Sequence, residues 1–261
     1  MRLQTTSPSV LLSVVIITFN EEKNIRQCIE SVLSVADDIV VLDSFSTDNT
    51  AQICHSLGVR FLQHPFEGYI LQKRRAVDLA HHHHVLSLDA DESLSPQLQQ
   101  SILAVKQAWQ ADGYYMNRLN NYCGRWIRHS GWYPDRKLRL WDKRKGRWEG
   151  IEPHDTVCLD KNATTGRLKG DLLHYSYRNI SEHIVQTNRF SDIKAQALFE
   201  KGKKTGIIRV ILGAGLKFFK HYILKLGFLD GMYGFIIAIQ GAHYYFATYV
   251  KLFDLCRRQK K

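Results

Sequence analysis

The chain has 261 residues, enough to bury a large core as one domain with appendages or as two domains. Hydrophobic residues at 44% and charged residues at 23% exclude wholesale disorder. With 36 Lys and Arg against 25 Asp and Glu the net charge is +11, which draws the protein toward phosphate-bearing partners: nucleotide, nucleic acid or anionic lipid. The cysteines (Cys28, Cys54, Cys123, Cys158, Cys256) are scattered, odd in number and never spaced as CxxC, which argues against a disulfide framework or a zinc site and for a reducing compartment. The first residues lack the features of a secretory signal. The longest apolar stretch, Phe228 to Val250, is interrupted by Asp230, Gln240 and His243, so a membrane span is not expected.

In chain order, LSVVIITF (12–19) is a β-branched apolar run that fits a doubly buried strand. Ile25, Cys28, Ile29, Val32 and Leu33 then recur at helical spacing. DIVVLDS is a second buried strand, followed by a polar turn, SFSTDNT. Residues 51–57 resume helical spacing, with Gly58 placed as the cap. VRFLQH is a third strand, a helix is predicted around 70–80, and VLSLD is a fourth strand. This β-α-β-α-β-α-β order implies a parallel sheet covered on both faces. Ligands collect beyond the carboxyl ends of such strands, and Asn20, Asp43 and Asp89 all fall there. Residues 112–160, with four of the five tryptophans, are expected as short strands and loops closing over the site. From about 179 the chain is helical again, and 206–255 alternates apolar stretches with Lys and aromatics.

The candidate chemistry begins with DADE (89–92). Carboxylates separated by one residue at a strand end suit Mg²⁺ or Mn²⁺, which take oxygen ligands and keep positions open for phosphate. The plainer reading is a turn capping the next helix. TFNEE (18–22) and LDSFSTDNT (42–50) offer further acceptors for a nucleoside, although Ser46 and Asp48 also suit a helix cap. HHHH at 81–84 lies in a helix-to-strand connection and is expected as solvated surface. GWYPDRKLR sets Trp132 and Tyr133 beside Arg136, Lys137 and Arg139, a set that suits packing or a phosphorylated sugar acceptor.

These motifs, SVVIITFNEEKNIRQCIESVL, then DIVVLDSFSTDNTAQI, then VLSLDADE, resemble the donor domain of glycosyltransferase family 2, inverting enzymes of GT-A fold. FEGYILQKRRA, RHSGWYPDRKLRL, GDLLHYS and LGFLDGMYGF are similar to segments of lipopolysaccharide inner-core β-1,4-glucosyltransferases. The resemblance implies an α/β GT-A (Rossmann-like), mostly parallel sheet flanked by helices, with a helical C-terminal extension. It implies a catalytic domain over 1–178, divided into a nucleotide-sugar half (1–95) and an acceptor half (96–178). By the same resemblance, Thr18, Phe19, Asn20 and Glu22 lie along the nucleotide, Asp43 reads the uracil, Lys73 reaches the donor and Asp89 approaches the ribose. Asp91 holds the divalent metal (Mg or Mn), with His174 near it. Trp132, Tyr133, Arg136 and Arg139 face the acceptor. The family's His-Glu pair, whose acid is the general base, corresponds here to WEGIEPHDTV: Asp155 takes that position, one methylene shorter, and Glu149 and Glu152 remain alternatives. The implied reaction is inverting, metal-dependent transfer of a hexose, glucose by resemblance, from a UDP-sugar to inner-core heptose of lipopolysaccharide.

Two other classes fit less well. The basic second half shows no RRM, KH, helix-turn-helix or zinc spacing, so nucleic acid is not an expected partner. A nucleotidyltransferase would open with a Gly-rich loop after the first strand, and TFNEEKN has no glycine. Residues 179–261 are expected as a basic, aromatic-rich helical region at a membrane interface, because Lys217, Lys220 and Lys225 interleave with apolar and aromatic residues. That reading makes the protein cytoplasmic and peripheral on the inner face of the bacterial inner membrane, held to an anionic surface in a salt-sensitive way. The alternative is a basic helical hairpin packed on the catalytic domain or on a dimer partner, and the oligomeric state is left open.

Overall fold

The computed structural model describes residues 9–151 and 154–259. The chain divides into two compact units. One holds the residues up to 118 together with 135–174, and the other holds 119–134 together with the chain from 175 onward. Residues 119–134, expected in the acceptor half, therefore belong with the C-terminal helices, and the first unit ends at His174 rather than 178.

In the first unit, β1 (Leu12–Thr18), α1 (Ile25–Val32), β2 (Asp38–Asp43), α2 (Thr50–Ser56), β3 (Arg60–Gln63), α3 (Tyr69–Asp78) and β4 (His84–Asp89) follow the predicted alternation closely. Gly58 takes φ +69° just after α2, the left-handed conformation that stops a helix without a side-chain clash. A turn leads to β5 (Glu92–Leu94), and α4 (Pro96–Gln107) follows. The α4 start is set by the Ser95 hydroxyl, which accepts from the amide of Leu98 at 3.3 Å. Next come β6 (Gly113–Tyr122), β7 (Arg125–Ile127), β8 (Asp135–Asp142), β9 (Gly146–Ile151), β10 (His154–Leu159) and β11 (Thr165–Tyr177). The region read as short strands and loops is thus built largely of strands, with β6 running ten residues and β8 eight.

The strand order is β3-β2-β1-β4-β8-β6-β11-β5. β3, β2, β1 and β4 are mutually parallel, while β8 joins β4 antiparallel and β5 joins β11 antiparallel. β9 and β10 form a separate antiparallel ribbon. Alternation along β1 sends Val14 and Ile16 into a core with α1 and α4, and Val15 into a second core with α3, Trp141 and Trp148. The central strands are apolar on both faces because both faces are covered, as the unbroken apolar runs predict.

In the second unit, the end of β6 pairs with β7, and α5 (Ile180–Glu200), α6 (Ile207–Phe219) and α7 (Gly231–Arg258) supply the bulk. α5 starts at Asn179, whose side chain accepts from the Glu182 amide at 2.9 Å while Glu182 accepts from the Arg178 amide at 2.9 Å. α6 continues through a π-helical turn (Lys220–Leu224), and a 3₁₀ turn (Gly227–Asp230) precedes α7. The Asp230 carboxylate accepts from the backbone amides of Arg128 and His129 at 3.3 and 2.9 Å, tying the turn to the chain after β7. A Cβ at Gly213 would stand 2.2 Å from the ring of Tyr245, so only glycine lets α6 approach α7 this closely. Among the described residues no single helix is long and apolar enough to cross a membrane. The segments Ile207–Leu224 and Gly227–Arg258 pass that test only together, and they bend by 69° at their junction.

The core of this unit is aromatic. Tyr122 packs edge-on against Trp132, Tyr177 and Tyr233, and its hydroxyl lies 2.9 Å from Nδ1 of the buried His183. Burial pushes the His183 imidazole down from 6.5 to about 4. The folded state thus refuses a proton that the unfolded chain accepts. Stability is full above about pH 6.5 and declines as pH falls toward about 4, by up to about 3 kcal/mol. The thermal midpoint should fall across that window, and His183→Gln should flatten the slope while lowering the plateau; an unchanged slope would place the titration elsewhere. In the first unit, Gly170 has φ +92°, and a Cβ there would meet the Leu98 amide nitrogen at 2.4 Å. Gly170→Ala should cost at least about 2 kcal/mol in urea unfolding, through strain and clash together.

Candidate active site

Strand register sets the first row of polar groups. Thr18 lies beside Asp43 and Asp43 beside Gln63, while Asp89 lies beside Ile17, so the four carboxyl ends finish almost level. The two loops that follow β1 and β2 are stitched together. The Asn20 amide donates to the Ser46 hydroxyl at 2.8 Å, and the Asn20 side-chain carbonyl accepts from the Thr47 amide at 2.8 Å. Glu22 accepts from the amide and side chain of Asn49 at 3.1 and 2.9 Å, and the Glu22 amide donates to Asp48 at 3.0 Å. Asn20 and Phe45 take φ +54° and +62°, left-handed conformations costly for residues with a Cβ, and such strain clusters at functional sites. Phe19 is exposed beside them.

Asp43 is fully buried. Its carboxylate accepts from the Ser46 amide at 2.8 Å, from the Ser46 hydroxyl, and from the Gln63 side chain at 3.0 Å. A carboxylate offers about four acceptor positions, so Asp43, with three taken, holds its own loop and keeps about one position open. The Thr18 hydroxyl, buried in the same row, has no hydrogen-bond partner among the described residues. A buried polar group at a strand end without a side-chain or backbone partner is open to a ligand or a water.

The second group of residues is an ion cluster. Lys73, 3% exposed on α3, sets its Nζ 2.9 Å from an Asp89 oxygen and 2.7 Å from an Asp155 oxygen. Arg139, 4% exposed on β8, reaches Asp89 at 3.1 Å and the buried Glu92 at 3.3 Å. Arg118 joins Glu92 to Asp135 at 3.4 and 2.8 Å. Both central cations lie over one indole: Lys73 is 4.5 Å and Arg139 4.9 Å from the ring centroid of Trp148. Burial by itself would raise the Asp89 carboxyl, but Lys73 and Arg139 outweigh it and hold Asp89 well below the usual carboxylate range. Arg139 was expected at the acceptor; its guanidinium is committed to this cluster instead, because a buried strand position demands a carboxylate partner for it. Arg136, three residues earlier on the other face of β8, stays exposed, whereas Trp132 and Tyr133 belong to the second unit, where Arg128 lies 5.5 Å above the Tyr133 ring.

Asp91 occupies the turn between β4 and β5. The β5–β11 pairing sets His174 opposite Glu92, which brings its Nε2 within 3.2 Å of an Asp91 oxygen. A carboxylate and an imidazole so placed fit a divalent ion that leaves its other positions to phosphate oxygens and water. Among the described residues no group of three or more His, Cys, Asp or Glu gathers as a metal cage. The HHHH run is not part of the site: His81 is exposed, and the His84 ring packs tilted against Trp109 with centroids 4.2 Å apart. Cys54 is buried, its thiol pushed up to about 12, so it supplies no thiolate.

The ribbon register bears on the base. Asp155 pairs with Gly150, and Glu149 with Thr156, so Glu149 projects from the face opposite to Asp155. Glu149 is engaged there by Arg147 at 2.7 Å. Glu152 lies outside the described residues, as does the side chain of His154. Glu92, Arg118 and Trp148 were not assigned roles from sequence. Glu92 carried a signal, as a third acid in DADE with no stated partner; Arg118 and Trp148 carried none stronger than a charge and a large ring inside strand patterns.

The α/β sheet, parallel through β3, β2, β1 and β4 and antiparallel beyond, with polar loops and carboxylates at its strand ends, is of the GT-A fold class. The model of glycosyl transferase family 2 matches residues 13–159, and the chain belongs to that family. It is 31% identical over 256 residues to the lipopolysaccharide core biosynthesis glycosyltransferase LpsC of Rhizobium meliloti, covering 95% of this chain and 93% of that one. It is also 31% identical over 254 residues to an uncharacterised glycosyltransferase of Rickettsia bellii, covering 94% and 86%. Among solved structures, S. aureus TarS 1–349 in complex with UDP-GlcNAc aligns over 96% of this chain and 92% of that one, at 16% identity and a TM-score of 0.48.

Arg139→Met would leave Glu92 and Asp89 short of a buried countercharge. It should cost on the order of 3–5 kcal/mol in urea unfolding, against less than about 1 kcal/mol for Arg136→Met on the exposed side of the same strand.

Proposed function

We propose that this glycosyltransferase moves a hexose, glucose in our reading, from a UDP-sugar to a heptose of the lipopolysaccharide inner core, with inversion and with a divalent metal. The observation that carries the catalytic part is Lys73, whose one ammonium is ion-paired to both Asp89 and Asp155. It joins the strand end where the resemblance puts the donor ribose to the ribbon where it puts the base. The acceptor part rests on the likeness to the lipopolysaccharide core glycosyltransferase along nearly the full chain. The membrane part rests on the acceptor: a lipid-anchored oligosaccharide is met at a bilayer surface, so we place the enzyme as a peripheral protein on the inner face of the bacterial inner membrane.

In this mechanism the Asp155 carboxylate takes the proton of the acceptor hydroxyl. The oxygen attacks the anomeric carbon from the side opposite the diphosphate, the bond from that carbon to the phosphate oxygen breaks, and UDP leaves with the electron pair. One displacement inverts the centre, so a single base suffices. Before the donor arrives, Lys73 holds the Asp155 carboxylate in an ion pair. A diphosphate beside Lys73 competes for its ammonium and releases the carboxylate for proton transfer. Asp91 and His174 would hold the metal, which when bound supplies a Lewis acid that neutralises the leaving diphosphate. Thr18, Asn20 and Glu22 shape the loop for the nucleotide, and Asp43 holds that loop in place.

UDP release in a donor screen with Mg²⁺ or Mn²⁺ and heptose-bearing acceptor tests this reading; turnover with UDP-glucose above other UDP-sugars is the expected result. Asp155→Asn should lower kcat by about 10²–10⁴ while donor binding is kept or tightened, because the base acts only in the transition state and its loss frees Lys73 for the diphosphate. Loss of donor affinity with unchanged turnover would remove Asp155 from that role. Asp91→Asn should lose metal-dependent UDP binding, measurable by calorimetry without any acceptor; undiminished metal dependence would remove Asp91 and His174 as the metal pair.

A further inference from the structure

The structure bares an apolar face where the sequence suggested chiefly a cationic one. On α6 and its π-helical turn, Ile208, Leu212, Leu216, Phe219 and Ile223 recur at steps of three and four and so form one stripe. The stripe faces solvent: Ile208 is 71%, Leu212 60% and Leu216 68% exposed, whereas Val210 and Gly213 on the other side are buried or pressed against Tyr245. The corner after α6 continues it with Leu226, Phe228 and Leu229, all exposed. α7 adds a second stripe, with Met232 at 71% followed by the exposed Phe235, Ile239, Phe246, Val250 and Phe253. A soluble helix turns such a stripe toward a core. Patches this long mark an interaction surface.

The charge pattern chooses the occupant. Residues 201–229 hold seven Lys and Arg and no Asp or Glu. A second copy of the chain would bring the same cationic segment against itself, whereas an anionic leaflet offers opposite charge beside hydrocarbon, at about 1 kcal/mol per Lys or Arg near its surface. Long Lys and Arg side chains extend to the headgroups while the apolar stripe lies below them.

We infer that the second unit embeds the exposed face of α6 and the corner after it in the acyl layer of an anionic leaflet, with α6 lying along the surface. The inference rests on the membrane-attached reading above and deepens it, from contact with headgroups to insertion among chains. α6 with its π turn has 18 residues, about 27 Å of helix, short of the roughly 30 Å hydrocarbon layer. One side of it is packed on α7, Arg209, Lys217 and Lys220 punctuate it, and the chain bends by 69° after it. A helix so built lies flat. Insertion also changes the salt response: charges govern the approach, which salt screens, but buried apolar surface governs retention, which salt does not weaken.

The test is flotation of the full chain with phosphatidylglycerol–phosphatidylcholine vesicles at low salt, then a wash in about 1 M NaCl. The expected result is flotation that survives the wash. Leu212→Glu with Leu216→Glu should lower the retained fraction at least tenfold, with circular dichroism and thermal midpoint matching the parent. Lys217→Gln with Lys220→Gln should load more slowly but keep what it loads. Release of the parent by the wash overturns insertion and leaves surface attachment standing; no flotation at low salt overturns both. A double-Glu variant that is retained like the parent overturns the inference. So does a parent that sediments as a dimer which that variant dissociates, because a second copy would then cover the face.

Discussion

The first unit is organised around two cations that have almost no water. Lys73 and Arg139 are buried, and a buried ammonium or guanidinium is tolerated only with carboxylates in contact. Asp89, Glu92 and Asp155 provide them, from the end of β4, the start of β5 and the ribbon strand β10, to cations on α3 and β8. Five elements are thereby fixed to one point, with the Trp148 ring as a floor under both cations. Such a cluster adds little net stability over an apolar core, because desolvation offsets most of the attraction. What it secures is geometry, since removing any one charge strands the others.

The same balance suits a reaction in which negative charge arrives and leaves. In the proposed reaction a diphosphate beside Lys73 would meet a cation already held in place by Asp89 and Asp155. Asp43 shows the complementary device. Its oxygens accept from Ser46 and Gln63, which makes it a strut for the loop after β2, while Thr18 keeps a buried hydroxyl without a partner among the described residues. A residue at a strand end can thus serve the site through its neighbours or by direct contact. The two roles look identical in a motif.

In the second unit the physics differs. Its core is a stack of rings around Tyr122 and His183, and much of its remaining apolar surface points outward along α6 and α7. Helical periodicity locates an apolar stripe but not the side that is covered, because core-facing and lipid-facing stripes have the same period. The exposure of Ile208, Leu212 and Leu216 depends on Val210 and Gly213 taking the inner side.

From the sequence alone, the run from 12 to 89 determined its own structure: apolar strands of four to eight residues between helical repeats leave few alternatives, and the acids at the strand ends followed from it. DADE and the two polar loops were legible for the same reason, each lying next to the strand that positions it. The rest was decided by pairing between distant segments. β5 with β11 set His174 beside Asp91 across 83 positions of sequence, the β9–β10 register put Asp155 and Glu149 on opposite faces, and β8 beside β4 buried Arg139 against Asp89. Local periodicity fixes which face of an element is apolar. Which element that face meets, and so which charge stands beside which, is a property of the packed chain.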